Sequence, residues 1–440
     1  MSTFEAAQDR NMILFVGSYE QYQRDAISQL SKALGKNMSA CVLVDVTLPR
    51  STRKLVDDNK AVVIECDFSS GLKIESAIKV YKHRFLAVTC RDEKNIPLFK
   101  KLIPHVPYLT TPSELSLEWT TNKIRMRQML SAFDKTISPK FMVVHDDSQE
   151  TKQQIEKQIG YPLIIKPAGL AKSLLVSLCY HREDLEENLN NTVKKINRIY
   201  KKEQGRGEPQ ILVEGFMEGS MYSIDCYVNQ RGVVYHAPLV HVRTGRAVGF
   251  EDFFGYARLT PVKLKPHRAD KARRTAEKAI EALNLRSMTC HIELIRTEDG
   301  WRVIEVGPRP GGFRAEMYKL SYGFDHLTND ILIRIPKKPT ITKKAKGYTT
   351  MLQFYPPKKG RLEKLEGIKK IRTLESFSRI DLKKKVGDLC DFARNGDDPI
   401  FNILMFNKER SKLFADVRRL EKTVKIQIKQ SQKNAAAKKS

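Results

Sequence analysis

The chain has 440 residues, 41% of them apolar, which suits a globular protein of roughly two to four domains and excludes a disordered carrier. No run approaches the ~18 apolar residues of a membrane span, and the N-terminus, with acids before its apolar run, does not read as a secretory signal. Seven cysteines without a C-x-x-C pair argue against a disulfide framework or zinc site, so a cytoplasmic protein is expected. The net charge of +27 raises nucleic acid or an anionic membrane as partners. Residues 331–440, with 29 Lys+Arg against 11 Asp+Glu, supply +18 of that excess. Those cations are scattered between strand-like runs such as "YTTMLQFY" and "IFNILMF", which predicts a folded lobe with a solvated basic face rather than a nucleic-acid arm.

In chain order, "MILFVG", "SACVLVDV", "AVVIECDF" and "RFLAVTC" read as buried parallel strands. Between the first two, "SYEQYQRDAISQLSKALG" has helical periodicity and a C-cap at Gly35. This predicts a small doubly wound α/β domain. Its "VGSYE" lacks the G-x-G-x-x-G spacing, and no Walker-type phosphate loop occurs anywhere. Next come the helix "NKIRMRQMLSAF", the helix "QETKQQIEKQIG", the strands "YPLIIKPAG" and "LLVSLCY", and a charged helix over about 182–200. After the polar link "KKEQGRGEP", the runs "QILVEGFMEG", "MYSIDCYVN" and "VVYHAPLVHV" predict consecutive antiparallel strands. A helix over 267–284 precedes "CHIELIRTEDGWRVIEVGPRPGG", and the last hundred residues form an α+β unit.

The stretch from Cys290 reads as a hairpin. A three-residue loop of Glu298, Asp299 and Gly300 would pair Thr297 with Trp301, Ile295 with Val303, and Glu293 with Glu305. Two carboxylates directly opposite each other normally destabilise a sheet. A dication between them removes the penalty, and Mg²⁺ takes oxygen ligands that it shares with phosphates; solvated carboxylates on an outer strand pair are the alternative. Arg309 follows between two prolines, and Gly311 and Gly312 allow amides to approach an anion. Lys166 ends an apolar strand ahead of the small-residue loop "AGLAKS", which suits a phosphate lid; a snorkelling surface lysine is the simpler reading. In "HVRTGRAVGFEDFFGYARLTP", Glu251, Asp252 and the paired phenylalanines suit a pocket lining, or equally a loop packed on the core.

The ordered set "YPLIIKPAG", "LVEGFMEGSMYSID" and "HIEL…VIEVGPRPGG" resembles the ATP-grasp superfamily, over about residues 10–425, and most of all its carboxylate–amine ligases such as the L-amino acid (dipeptide) ligases. The resemblance implies an ATP-grasp architecture of the α/β and α+β class: an N-terminal α/β domain over 1–112, an ATP-grasp domain over 113–335 with a lid at about 137–212, a basic α+β lobe over 336–428, and a tail over 429–440. It implies ATP and Mg²⁺ (with Mn²⁺ as an alternative) as cofactors, and a small-molecule carboxylate, amino acids included, plus an amine as substrates. A homodimer stays open; neither membrane nor nucleic acid is an expected partner. Position by position it implies that Lys123, one turn into its helix, and Lys166 hold ATP phosphates, with Lys172 and Ser173 adding lid contacts. Glu214, Gly215, Phe216 and Met217 match the adenine hinge, with Glu214 near the exocyclic amine. Glu293 and Glu305 match the metal acids, and Arg309 the catalytic arginine. Three positions depart from the pattern. Gly307 stands where many relatives have a metal-binding Asn, Met221 where many have a ribose-binding acid for which Glu218 is a substitute, and the lid loop has fewer glycines.

Overall fold

The computed structural model describes residues 10–47, 61–170, 174–203 and 208–430. Lys172 and Ser173 lie outside the described residues. Near the N-terminus, β1 (Met12–Val16), β2 (Ser39–Asp45), β3 (Val62–Cys66) and β4 (Phe85–Cys90) form a parallel sheet in the order β3-β2-β1-β4. Strand β1 is wholly buried and apolar, as a strand covered on both faces must be. The helix Gln21–Leu34 ends at Gly35, whose left-handed φ of 63° lets its amide close back on the Ser31 carbonyl. Strands β2 and β4 flank β1 on opposite sides, so the strand order reverses beside β1, and open α/β sheets take ligands at the carboxyl ends of such strands.

A second layer, β5 (Phe141–Val144), β6 (Leu163–Pro167), β7 (Ser177–Cys179) and β8 (Ile211–Gly215), makes an antiparallel sheet in the order β5-β8-β6-β7. The helices Gln149–Gln158 and Arg182–Glu203 accompany it, and its apolar interior is separate from the rest. The third layer is a nine-stranded sheet. It takes in β9 (Ser220–Val228), β10 (Val234–His236), β11 (Val240–Thr244), β12 (Gly255–Thr260), β13 (Met288–Arg296) and β14 (Trp301–Gly307). The run expected as one strand, "VVYHAPLVHV", is split into β10 and β11 around Ala237-Pro238, since proline cannot donate to the ladder. Chain neighbours are also not always sheet neighbours: β13 lies beside β9, and β14 forms the edge.

The C-terminal strands β15 (Tyr348–Phe354), β17 (Phe377–Leu382) and β19 (Phe401–Asn407) continue this same sheet through β12, while β16 (Gly360–Glu366), β18 (Leu389–Cys390) and β20 (Lys425–Lys429) form a separate three-stranded one. The stretch ahead of β7 also touches these strands' connections: the Leu175 amide donates to the Arg394 carbonyl at 3.3 Å. All seven cysteines are buried and unpaired. Among the described residues no helix is long and apolar enough to cross a membrane.

Candidate active site

The hairpin of β13 and β14 sets Glu293 opposite Glu305, as its sequence predicts, but by a different route. Near the turn the pairs are Arg296 with Trp301 and Ile295 with Arg302, so the expected pairs Thr297–Trp301 and Ile295–Val303 do not form. Thr297 instead closes a four-residue turn, its amide and hydroxyl both donating to the Gly300 carbonyl. One residue is gained at the turn and one is returned by a bulge at Ile304, between the pairs Glu293–Glu305 and Leu294–Val303. On the next strand Ser223 faces Glu293 and Asp225 faces His291, while Gly307 faces His291 across the hairpin. Ser223, Asp225, His291, Glu293, Glu305 and Gly307 therefore share one face of the sheet.

The helix Lys123–Phe133 lies against the β14 edge. Lys123 is its first residue rather than one turn in, and Asn122 caps it by accepting from the amides of Ile124 and Arg125. Lys123 Nζ lies 3.2 Å from Glu305 Oε1 and donates to the Leu170 carbonyl of the lid at 2.7 Å. The repulsion between the two acids is thus already relieved on one side by a lysine.

Glu214, at the end of β8, directs its carboxylate at two buried cations. Arg127 Nε donates to Oε1 at 2.6 Å and Lys166 Nζ to Oε2 at 2.8 Å. Burial alone would raise this carboxyl; Arg127 and Lys166 outweigh it and bring it down to about 2. Burial in turn pushes the Lys166 ammonium below its ordinary value, against the pull of Glu214. In the hinge, the Gly215 amide donates to the Lys140 carbonyl at 3.0 Å and the Phe216 amide to the Pro162 carbonyl at 2.9 Å. Phe216, Met217 and Glu218 line a cavity of about 740 Å³ with Trp301 and the start of the helix Pro266–Ala282. Arg296 to Arg302 line it as well, so this cavity sits at the turn end of the hairpin, away from the two acids. Glu218, which lines it, does not join them.

Beneath the acids sits a buried network that the sequence did not disclose. Asp225 Oδ1 is 2.5 Å from His291 Nδ1, and Oδ2 is 2.7 Å from His326 Nε2. Burial would raise the Asp225 carboxyl, but the two histidines hold it well below the usual range. His291 Nε2 in turn lies 3.6 Å from Glu293 Oε1. Burial pushes the Glu293 carboxyl up, and His291, Arg258 and Arg314 together bring it below its ordinary value. Arg258 is pushed down to about 10, first by burial and then by Arg314 beside it. Arg314 Nη2 donates to Ser223 Oγ at 2.7 Å. The signal for Arg314 was present in "GGFRAE", but an arginine at a helix start reads as solvated until its strand partner is known.

Gly311 and Gly312 behave differently from each other. The Gly311 amide donates to Asp225 Oδ2 at 2.7 Å, so it serves the buried network rather than an incoming anion. A Cβ there would come within 2.4 Å of His291 Nδ1, whereas one on Gly312 meets nothing within 4 Å. At Gly307 a Cβ would make only ordinary contact with His291, so the absence of an Asn there is not imposed by space. Arg309 reaches the N-terminal domain: its Nη2 donates to Glu93 Oε2 at 2.6 Å, just past β4, and its Nη1 to the Pro310 carbonyl. This ties the carboxyl end of β4 to the segment that follows β14.

Of the two readings of the loop around Glu251 and Asp252, a pocket lining or a packed loop, the packed loop is the one found. Asp252 is buried and accepts from the amides of Phe253 and Arg394, and Phe254 packs against Tyr355 with ring centroids 4.4 Å apart. Among the described residues no three His, Cys, Asp or Glu side chains form a complete metal cage. Two carboxylates do fit Mg²⁺, which is held through one or two carboxylates plus substrate phosphates and keeps several waters.

Residues 159–316 match the ATP-grasp domain family. The chain is 25% identical over 294 residues to the uncharacterized protein y4rH of Sinorhizobium fredii (strain NBRC 101917 / NGR234), covering 66% of this chain and 57% of that one. It is 28% identical over 204 residues to the alanine–anticapsin ligase of Bacillus amyloliquefaciens, covering 42% of this chain and 41% of that one. The chain thus spans about half the length of these curated relatives. In three dimensions it is similar to the L-amino acid ligase from Bacillus licheniformis, with a TM-score of 0.74, 18% identity, and coverage of 96% of this chain and 99% of that one.

Proposed function

We propose that this chain, an ATP-grasp protein by sequence match and by fold, is an ADP-forming carboxylate–amine ligase. The observation that carries the proposal is the meeting of Glu293 and Glu305 on one sheet face with Lys123, Lys166 and Arg309 held close by acids of the protein. Glu293 and Glu305 would hold Mg²⁺, whose contribution is to neutralise triphosphate charge. Lys123 and Lys166, now paired with Glu305 and Glu214, are the cations available to the β- and γ-phosphates. With the Gly215 and Phe216 amides already bonded within the lid, recognition of the base edge falls to Met217 and the hinge carbonyls.

A carboxylate oxygen of the acid attacks the γ-phosphorus, the bond to ADP breaks, and an acyl phosphate results. The amine nitrogen then attacks the acyl carbon, phosphate leaves, and the amine loses a proton. Arg309 offers a planar fork to the transferring group or the substrate carboxylate, steadied from the first domain by Glu93. Positioning and charge neutralisation are the protein's share of the work, and the lid keeps water from the acyl phosphate. The likeness to an amino acid ligase and an alanine–anticapsin ligase supports small carboxylates and amines as substrates. The test is a screen of amino acids and amines for ATP-dependent phosphate release, followed by the product mass. Release of phosphate with a new amide supports the reading; phosphate release indifferent to every acid and amine refutes it.

A further inference from the structure

Arg127 is fully buried, and its guanidinium is shared between two structures that the proposed chemistry needs. On one side Nε and Nη2 grip both oxygens of Glu214, at 2.6 and 3.3 Å. On the other side Nη1 donates to the Val303 carbonyl at 3.1 Å, and Nη2 to the Ile304 carbonyl at 2.6 Å. In a regular strand consecutive carbonyls point to opposite sides. Here they converge on one guanidinium because the bulge falls at Ile304, on the strand that forms the edge of the sheet. The bulge is also what returns Glu305 to its place opposite Glu293.

The same helix face makes two further contacts with this strand. Lys123 reaches Glu305, and Met126 Sδ lies 3.3 Å from the Val306 amide. Positions 123, 126 and 127 stand at i, i+3 and i+4, so one stripe of one helix meets four consecutive residues, Val303 to Val306. Only an arginine supplies a fork that serves a carboxylate and two carbonyls at once. A buried guanidinium left without these partners would be costly, so the bulged register and the inward turn of Glu214 stabilise one another.

We infer that Arg127 is a positioning residue that locks the register of the acids Glu293 and Glu305 to the nucleotide hinge at Glu214. It touches neither metal nor substrate; it couples the base end of the site to its phosphate end. The inference rests on the ATP-grasp ligase reading of the site, and its test uses ligands that report the two ends separately without turnover. Adenosine probes the hinge, and Mg²⁺ with tripolyphosphate probes the acids and lysines; both are titrated by calorimetry into the full chain and into Arg127→Met.

Methionine keeps the length and removes every donor. The expected result is a loss of about 10- to 100-fold in affinity for both probes, the range found when a residue supporting metal ligands is removed. Binding of Mg²⁺–tripolyphosphate unchanged in the variant, whatever happens to its melting temperature, overturns the inference. Should Arg127→Met fail to fold, Arg127→Lys is the second variant. It retains one charge but cannot span carboxylate and carbonyls together, and it must still weaken at least one probe by about tenfold; unchanged affinity for both overturns the inference. Failure of the wild-type chain to bind either probe refutes the ligase reading itself, a distinct outcome.

Discussion

Two regions of this molecule are rich in charge and use it in opposite ways. On and beside the face of the nine-stranded sheet, a handful of ionic groups are buried and each is tied to named partners: Arg127 and Lys166 with Glu214, Asp225 with His291 and His326. In the C-terminal lobe the cations are more numerous and largely exposed, paired at the surface as in Lys412 with Glu375 and Lys383 with Asp381. Buried charge demands full compensation and so fixes geometry, whereas exposed pairs contribute little and constrain little. Net charge therefore points away from the end of the chain where the proposed chemistry lies.

The sharpest way to break that contrast is to remove one charge from each region. Glu305→Ala removes a metal acid and is expected to abolish ATP turnover, measured as phosphate release. Since Glu305 is about one-third exposed and pairs with Lys123 at 3.2 Å, its loss should shift stability by no more than about 1 kcal/mol. Near-normal turnover would remove the metal assignment.

Gly311→Ala asks how closely the buried network is packed. The added methyl collides with His291 and Asp225, and overpacking of this kind costs about 1–3 kcal/mol, read from denaturant unfolding. Gly312→Ala, facing open space, is the control and should be close to neutral.

The pH dependence of stability follows from Glu214. Its folded carboxyl sits at about 2 against an ordinary 4.5, so it binds a proton more weakly when folded than unfolded. Its contribution is complete above about 4.5 and is lost as pH falls from there toward about 2. Glu214→Gln should flatten that part of the unfolding profile, and an unchanged acid limb would contradict the assignment.

The smallest effect is expected in the lobe. Lys369→Glu together with Lys370→Glu, both exposed, should each alter stability within about 0.5 kcal/mol and leave turnover unchanged. Nucleic-acid binding by the wild-type lobe should be weak and vanish with added salt; tight, salt-resistant binding would give the region a function of its own.

The sequence made the parallel sheet, the helix ending at Gly35 and the opposed acids legible, because each depends on local periodicity and turn chemistry. It misjudged how Glu293 and Glu305 come to face each other, since a turn one residue longer and a bulge cancel, and a bulge has no local signature here. Arg127 was hidden in "KIRMRQML", where it reads as one more cation on a polar helix. Its burial follows from the Glu214 and Ile304 that tertiary contact brings to it. The lineup of Lys123, Met126 and Arg127 on one stripe was the available clue. Asp225 and His326 lie 101 residues apart, beyond the reach of any local pattern. "EDFF" left pocket and packed loop equally open because exposed and packed aromatics share one composition.

The central claim is that a substrate carboxylate takes the γ-phosphoryl group, and oxygen transfer tests it most directly. An acid carrying ¹⁸O in its carboxylate is incubated with ATP, Mg²⁺ and an amine that the screen has identified, and the products are read by mass. Transfer through an acyl phosphate gives ADP, amide, and phosphate carrying one labelled oxygen. AMP with pyrophosphate, or amide accompanied by unlabelled phosphate, would contradict it.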